Sequence, residues 1–171
     1  DLSTMKYSRF EEVPVWKDAV ALARHIYELT SQETFRKHSG LRDQFERAGL
    51  SVSNNIAEGF ERGTTKELLA FLYIARGSAG EVRSMLCVVE GLPAFRHLKS
   101  QIADLKRQCQ TISRQLYGWI ESLKNSDITG QRHLTNQARA QLTAQQDRQE
   151  FLAHLQHLTK TSKEGNSPEE D

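Results

Sequence analysis

The sequence predicts an all-α protein, an antiparallel up-down four-helix bundle with a C-terminal, partly helical or disordered extension. Three observations predict it. Apolar residues recur at steps of three and four in four successive segments, the spacing of one face of an α-helix. Only three prolines occur in 171 residues, Pro14, Pro93 and Pro168, and none falls inside those segments, where a missing donor and a ring clash would break a helix. The links between segments are short, which makes consecutive helices antiparallel neighbours.

Residues 1–13 read as an irregular arm. Pro14 suits a first helical turn, where its missing N–H costs nothing. Trp16, Ala19, Val20, Ala23, Ile26, Tyr27 and Thr30 then mark one face of a first helix over residues 14–31. Residues 32–40 form a polar connection, with Phe35 folded back to cap the core. The second helix starts near Leu41 and buries Leu41, Phe45, Ala48, Val52, Ile56 and Gly59. Gly63 is its C-terminal stop. Thr64, with Glu67 three residues on, is a capping box for the third helix. That helix carries Leu68, Leu72, Ala75, Ala79, Val82, Leu86 and Val89 and ends at Gly91 and Pro93. The fourth has the most regular period: Leu98, Ile102, Leu105, Cys109, Ile112, Leu116, Trp119 and Leu123 alternate steps of four and three. A heptad seam of this kind crosses its neighbours at roughly 20°.

After residue 125 the character changes. Leu134, Ala138 and Leu142 keep helical spacing, as do Phe151, Leu155 and Leu158, and the stripe thins between them. Residues 160–171 are polar, end acidic and are expected to be disordered. The chain thus divides into an arm (1–13), a bundle (14–125) and an extension (126–171). Residues 127–171 hold five Lys/Arg against seven Asp/Glu, net −2, which leaves +3 for the rest of a chain whose formal charge is +1.

Composition excludes some classes. No apolar run approaches the roughly 18–20 residues needed to span a bilayer. The opening Asp1-Leu2-Ser3-Thr4-Met5-Lys6 lacks a charged start followed by an apolar stretch, so a secretion signal is not expected there. Cys87 and Cys109 occupy apolar helical positions and read as small buried hydrophobes in a reducing compartment. A cytoplasmic location is therefore expected. The low net charge argues against a uniformly basic nucleic-acid binder and leaves room for a local basic patch. Glycine-rich phosphate loops, nucleophile elbows and paired-cysteine metal motifs are absent from the sequence. Neither catalysis nor a cofactor is expected.

Residues 47–59 are unusual for a plain bundle. Asn, Ser and Gly are poor residues for a helix interior, yet this stretch holds Gly49, Ser51, Ser53, Asn54, Asn55 and Gly59. Ser51, Asn55 and Glu58 share one helical face. The third helix offers Arg76, Ser78 and Glu81, with Gly77 and Gly80 to let two backbones approach. Buried polar groups must satisfy one another, since an unpaired one costs roughly 1–3 kcal/mol. Asn55 and Glu58 are therefore expected to meet Arg76 and Ser78. The cluster reads as a structural network fixing register, within the bundle or between subunits, or as a site for a ligand or partner, with an enzyme site as the remaining alternative.

Two further groupings stand out. Arg36, Lys37, His38, Arg42 and Arg47 surround the link into the second helix, and Lys99, Lys106, Arg107 and Arg114 run along the fourth. They read either as a phosphate-binding stripe or, with Asp43, Glu46 and Asp104 among them, as a mixed solvated surface. In the extension, Glu150, His154 and His157 share a helical face and are ligand types that zinc accepts. A solvated face is the plainer reading. Leu50, Leu69, Tyr73, Ile74 and Val88 lie off the core faces and could form subunit contacts.

The pattern of Leu41, Arg42, Gln44, Arg47, Ala48, Ser51, Val52 and Asn55-Ile56-Ala57-Glu58-Gly59 resembles a known family. So does Phe71-Leu72 followed by Ile74-Ala75-Arg76-Gly77-Ser78 and Glu81, and so does Trp16-Lys17-Asp18-Ala19. The family is that of the four-helix-bundle proteins encoded by intervening sequences of bacterial 23S ribosomal RNA genes. The resemblance covers residues 15–123 and leaves the extension outside it. It implies an antiparallel bundle, a homopentameric ring, no established catalytic activity and an association with RNA drawn from gene context. The family is also similar to the accessory variability determinant of diversity-generating retroelements. By that similarity a reverse transcriptase is an alternative partner. No membrane partner is expected.

Overall fold

Four periodic segments become four long helices. The computed structural model describes residues 7–125, and Arg148 beyond them. The chain divides into two compact units, Asp1–Arg132 and His133–Asp171, and the described fold belongs to the first. The helices expected in the extension, and the face of Glu150, His154 and His157, lie outside the described residues. Helix α1 spans Pro14–Thr30, a one-turn α2 Glu33–Arg36, α3 Ser39–Glu61, α4 Thr65–Glu90 and α5 Lys99–Lys124. Short 3-10 turns occupy Phe10–Glu12 and Pro93–Leu98, and no β-strand occurs among the described residues. The polar connection predicted over 32–40 thus contains a turn of helix. The long rods α1, α3, α4 and α5 pack in cyclic order around one core, α1 touching both α3 and α5.

Local chemistry sets the boundaries. Pro14 sits in the first turn of α1. Helix α3 runs out at Arg62, and Gly63 follows with φ 81°, a left-handed conformation that glycine adopts without a Cβ penalty. Thr64 caps α4: its hydroxyl accepts the Glu67 N–H at 3.3 Å and donates to the Glu67 carboxylate at 2.6 Å. Gly91 closes α4, and Pro93 opens the 3-10 turn.

The core follows the predicted stripes closely on α4 and with shifts elsewhere. All seven predicted α4 positions are buried. On α1 the buried face is Val15, Ala19, Leu22, Ala23, Ile26, Leu29 and Thr30, whereas Trp16 and Val20 are half-buried and Tyr27 is exposed. The stripe is rotated because Leu22 and Leu29 bury wholly apolar side chains, while the two aromatics keep a polar tip at the margin. On α5 the seam steps from Leu116 to buried Ile120, leaving Trp119 half-buried. A 3.5-residue repeat drifts about 20° per heptad on a 3.6-residue helix, and a second step of four restores the face. The arm is not wholly irregular: Val13 is buried, Tyr7 and Phe10 pack on the core, and the Phe10 ring meets Trp16 edge-on at 5.1 Å.

Phe35 caps the core as its position predicts. It is fully buried, with edge-on ring contacts to Phe45 at 5.7 Å and Phe95 at 5.0 Å. Thr34 Oγ1 lies 3.4 Å from His97 Nε2. The α1–α3 and α4–α5 connections therefore meet at one end of the bundle.

Two expectations are corrected. Cys109 is buried, and burial pushes its thiol up to about 12. Cys87 is exposed instead of buried, because it sits toward α5 at the flank of the α4 stripe, near Lys106. Gly77 and Gly80 mark no close approach between helices of this chain, since a Cβ at either would meet nothing within 4 Å. That role falls to Gly49, where a Cβ would stand 2.6 Å from Ile26 Cδ1, and to Gly59, where it would stand 2.6 Å from Phe71 Cβ.

Candidate functional site

The polar residues in the middle of α3 turn inward on their own helix. Ser53 Oγ donates to the Leu50 carbonyl at 3.2 Å, and Asn55 Nδ2 donates to the Ser51 carbonyl at 2.7 Å. Such bonds to the preceding turn are how Ser and Asn are accommodated inside a helix. On α4, Ser78 Oγ donates to the Ile74 carbonyl at 3.0 Å. The Ser78 proton is thereby committed, so Ser51 donates across the 2.9 Å contact between the two hydroxyls. Asn55 Nδ2, 2.9 Å from Ser51 Oγ, supplies the third bond. The result is a directed chain, from Asn55 amide to Ser51, to Ser78, to a backbone carbonyl. It fixes the amide with its nitrogen toward Ser51, and no base takes part in it.

The expected six-residue cluster therefore divides. Ser51, Asn55 and Ser78 meet across α3 and α4. Glu58 does not join them: it is exposed and pairs with Arg62 at 2.7 Å. That carboxylate holds the Arg62 guanidinium above its usual range, and Arg62 also stands over the Phe71 ring at 5.4 Å. Arg76 turns the other way, toward α5, with Nε 3.5 Å from Ser113 Oγ and its guanidinium 5.0 Å from the centre of the Tyr117 ring. Glu58 and Arg76 lie on opposite sides of α4, because the helical period carries Arg76 just over half a turn from Ser78. Glu81 borders an open groove of ≈ 470 Å³ beside the serines, with Gln44, Arg47, Leu50, Asn54 and Asn55.

The directed chain makes a prediction. Asn55→Asp places an acceptor-only carboxylate against the Ser51 carbonyl and hydroxyl. It should lower stability at neutral pH by about 1–3 kcal/mol. The loss should shrink as the pH falls and the carboxyl regains a proton to donate. Urea titrations at pH 7 and pH 4 check it, and equal midpoints for variant and wild type at pH 7 would refute it.

The basic residues do not form one stripe. Arg36 pairs with Glu33 at 2.9 Å, Arg42 with Asp43 at 3.4 Å, and Lys106 with Glu90 at 2.7 Å. Arg107 pairs with Asp104. Glu90 holds the Lys106 ammonium above its usual range. Arg42 also faces Glu46, which accepts the Thr30 hydroxyl at 2.8 Å. Arg114 reaches Thr111 Oγ1 at 3.3 Å, and Arg47 borders the α3–α4 groove. What remains together is the end of the bundle. The Phe35–Phe95 contact gathers Arg36, Lys37, Arg96 and Lys99, with His38 and His97, all exposed. Over 31–40 and 91–100 the only acidic residue is Glu33, so this end carries +3 with its histidines neutral. Arg96 was missed in the sequence because it lies some sixty residues from Lys37.

A second groove, of ≈ 500 Å³, opens between α1 and α5. Asp18, Ala21 and His25 face Asp104, Arg107, Gln108 and Thr111 across it. His25 Nδ1 lies 2.9 Å from Gln108 Oε1, and Gln115 Nε2 donates to Asp18 Oδ2 at 2.7 Å. In the sequence these are two facing polar rows at three- and four-residue steps, a signal the apolar stripes overshadow. Among the described residues no group of three or more His, Cys, Asp or Glu could hold a metal ion. Among them, too, no helix is long and apolar enough to cross a membrane.

Comparison with known proteins bears directly on the α3–α4 pattern. The chain matches the model of the 23S rRNA-intervening sequence protein family over residues 11–118, well over half its length. No curated protein matches it. The matched span takes in α1, α3, α4 and most of α5, including the Ser51–Asn55–Ser78 chain. The chain belongs to the 23S rRNA-intervening sequence protein family.

Proposed function

We propose that this protein is a non-enzymatic, homo-oligomeric scaffold that binds RNA through the basic end of its bundle. The observation that carries the reading is the meeting of the two connections. Phe35 and Phe95 bring together two connections, 31–40 and 91–100, that hold four cations and two histidines against one acidic residue. A surface of that charge suits a phosphate backbone and asks for no base-specific geometry. The polar chain between α3 and α4 is structural in this account. A homopentameric ring is the assembly that the family resemblance implies. A reverse transcriptase is the alternative partner.

The test is binding of a fluorescent structured RNA over a salt series. Lys37→Glu, Arg96→Glu and Lys99→Glu are combined in one variant. All three side chains are exposed, so the fold should be kept. The wild type should bind with an affinity that falls steeply as salt rises. The variant should bind roughly tenfold or more weakly at low salt, with a log–log slope reduced by about 3. Equal binding by the two proteins, or none by the wild type at low salt, would refute the reading.

A further inference from the structure

Helix α4 carries a largely small or apolar outer stripe, with exposed Lys66, Glu81 and Arg83 standing at its start and flanks. On the side away from the core it presents Ala70, Tyr73, Gly77, Gly80, Ser84 and Val88. Ile74 stands beside them. The outward side of α1, by contrast, carries Lys17, Asp18, Arg24 and Glu28. A helix whose outer stripe is small or apolar, opposite a buried apolar stripe, is one that expects cover on that side too.

Exposed large hydrophobics are gathered on the same side. Tyr73, Ile74 and Val88 are 46%, 51% and 58% exposed, and Tyr117, on the α4–α5 seam under Arg76, is 51% exposed. Leu50 borders the α3–α4 seam, and Leu92 follows the end of α4. Of the exposed large hydrophobics among the described residues, only Tyr27 lies elsewhere. Clustering of this kind marks a protein–protein surface.

Gly77 and Gly80 add the reason for a helix as occupant. Glycine in a helix interior is unfavourable, and a Cβ at either position would meet nothing in this chain. Small residues at 70, 77 and 84 recur at intervals of seven. They leave a shallow trough along α4, walled by Tyr73, Ile74 and Val88, in which a second rod can lie close.

We propose that the outer face of α4 is where a second copy of this chain docks, helix against helix, with closest approach at Gly77 and Gly80. The proposal rests on the homo-oligomeric reading above and names its surface. The area fits a whole bundle as partner better than a short segment. From Ala70 to Val88 the face is about 27 Å long at 1.5 Å per residue. With both flanking seams, at helix spacings of 8–10 Å, it is about 20 Å wide. That is on the order of 500 Å² in plan, and more as ridged accessible surface, near the roughly 600–1,000 Å² that each side of a stable complex contributes.

The experiment measures the mass of the full chain by light scattering for wild type and for Gly80→Arg, Tyr73→Lys and Tyr27→Lys, with helical circular dichroism on each. Wild type and Tyr27→Lys should share a mass that is a multiple of 19.5 kDa. Gly80→Arg and Tyr73→Lys should fall toward 19.5 kDa with unchanged helical signal, and association should weaken at least tenfold. If both α4 variants keep the wild-type mass, the α4 surface is wrong and self-association stands. If the wild type itself is 19.5 kDa, the oligomeric reading falls with it. Should Gly80→Arg lose its helical signal, Tyr73→Lys decides alone.

Discussion

Phe35→Ala should destabilise the bundle by about 3–5 kcal/mol, the range for removing a buried phenylalanine. Phe35 is fully buried at the meeting point of α2, α3 and the 93–98 turn, where its ring holds both Phe45 and Phe95 edge-on. Alanine leaves a cavity under the basic end, and two aromatic contacts, each worth roughly 0.5–1.5 kcal/mol beyond burial, vanish with it. The connection carrying Arg36 and Lys37 then loses its anchor to the one carrying Arg96 and Lys99. RNA binding should weaken although no cation has been removed. Urea unfolding reads the first effect, and RNA titration well below the unfolding midpoint reads the second. A loss under 1 kcal/mol would show that the two connections are not held by this contact.

Gly59→Val should be the costliest of the glycine replacements, at the upper end of the roughly 1–3 kcal/mol typical of overpacking. The new Cβ would stand 2.6 Å from Phe71 Cβ, an atom that no side-chain rotation moves, so the backbone must shift. Gly49→Ala is the informative contrast. Its Cβ would meet the far end of the Ile26 side chain, which can rotate away. Gly to Ala inside a helix is favourable by about 1 kcal/mol, so the two effects nearly cancel. Thermal denaturation of both variants checks the pair. A Gly59→Val protein as stable as Gly49→Ala would mean that α3 and α4 are farther apart at this point.

Much of the fold could be read from periodicity, because a helix's apolar stripe is a local property of the chain. Stripes made of unambiguous aliphatics, such as Leu68 through Val89, point where they are read to point. Trp16 and Tyr27 misled the reading of α1, since amphipathic aromatics suit a stripe's margin as well as its centre. The glycines show the limit more sharply. Gly49, Gly59, Gly77 and Gly80 look alike in sequence, and only their neighbours in space separate two tight contacts from two open ones. The same limit applies to the site. Asn55 and Ser78 could be set on facing sides, but nothing in the sequence singles out the Ser51 hydroxyl as the link that joins them, and Arg76 and Glu58 could not be excluded without knowing which neighbour each side of α4 meets. The basic end was hidden because Phe35 and Phe95 join segments that no local pattern connects.

The central claim is that this bundle acts as a rigid unit of a larger assembly, docking its own copies through a contact that includes the outer face of α4 and RNA through one end. Light scattering of the wild-type full chain, after removal of nucleic acid, tests it most directly. The account predicts a discrete mass near five times 19.5 kDa, or another fixed multiple if the ring closes differently. A mass of 19.5 kDa at every concentration up to about 100 μM, a level at which a specific interface of this size is occupied, would contradict it.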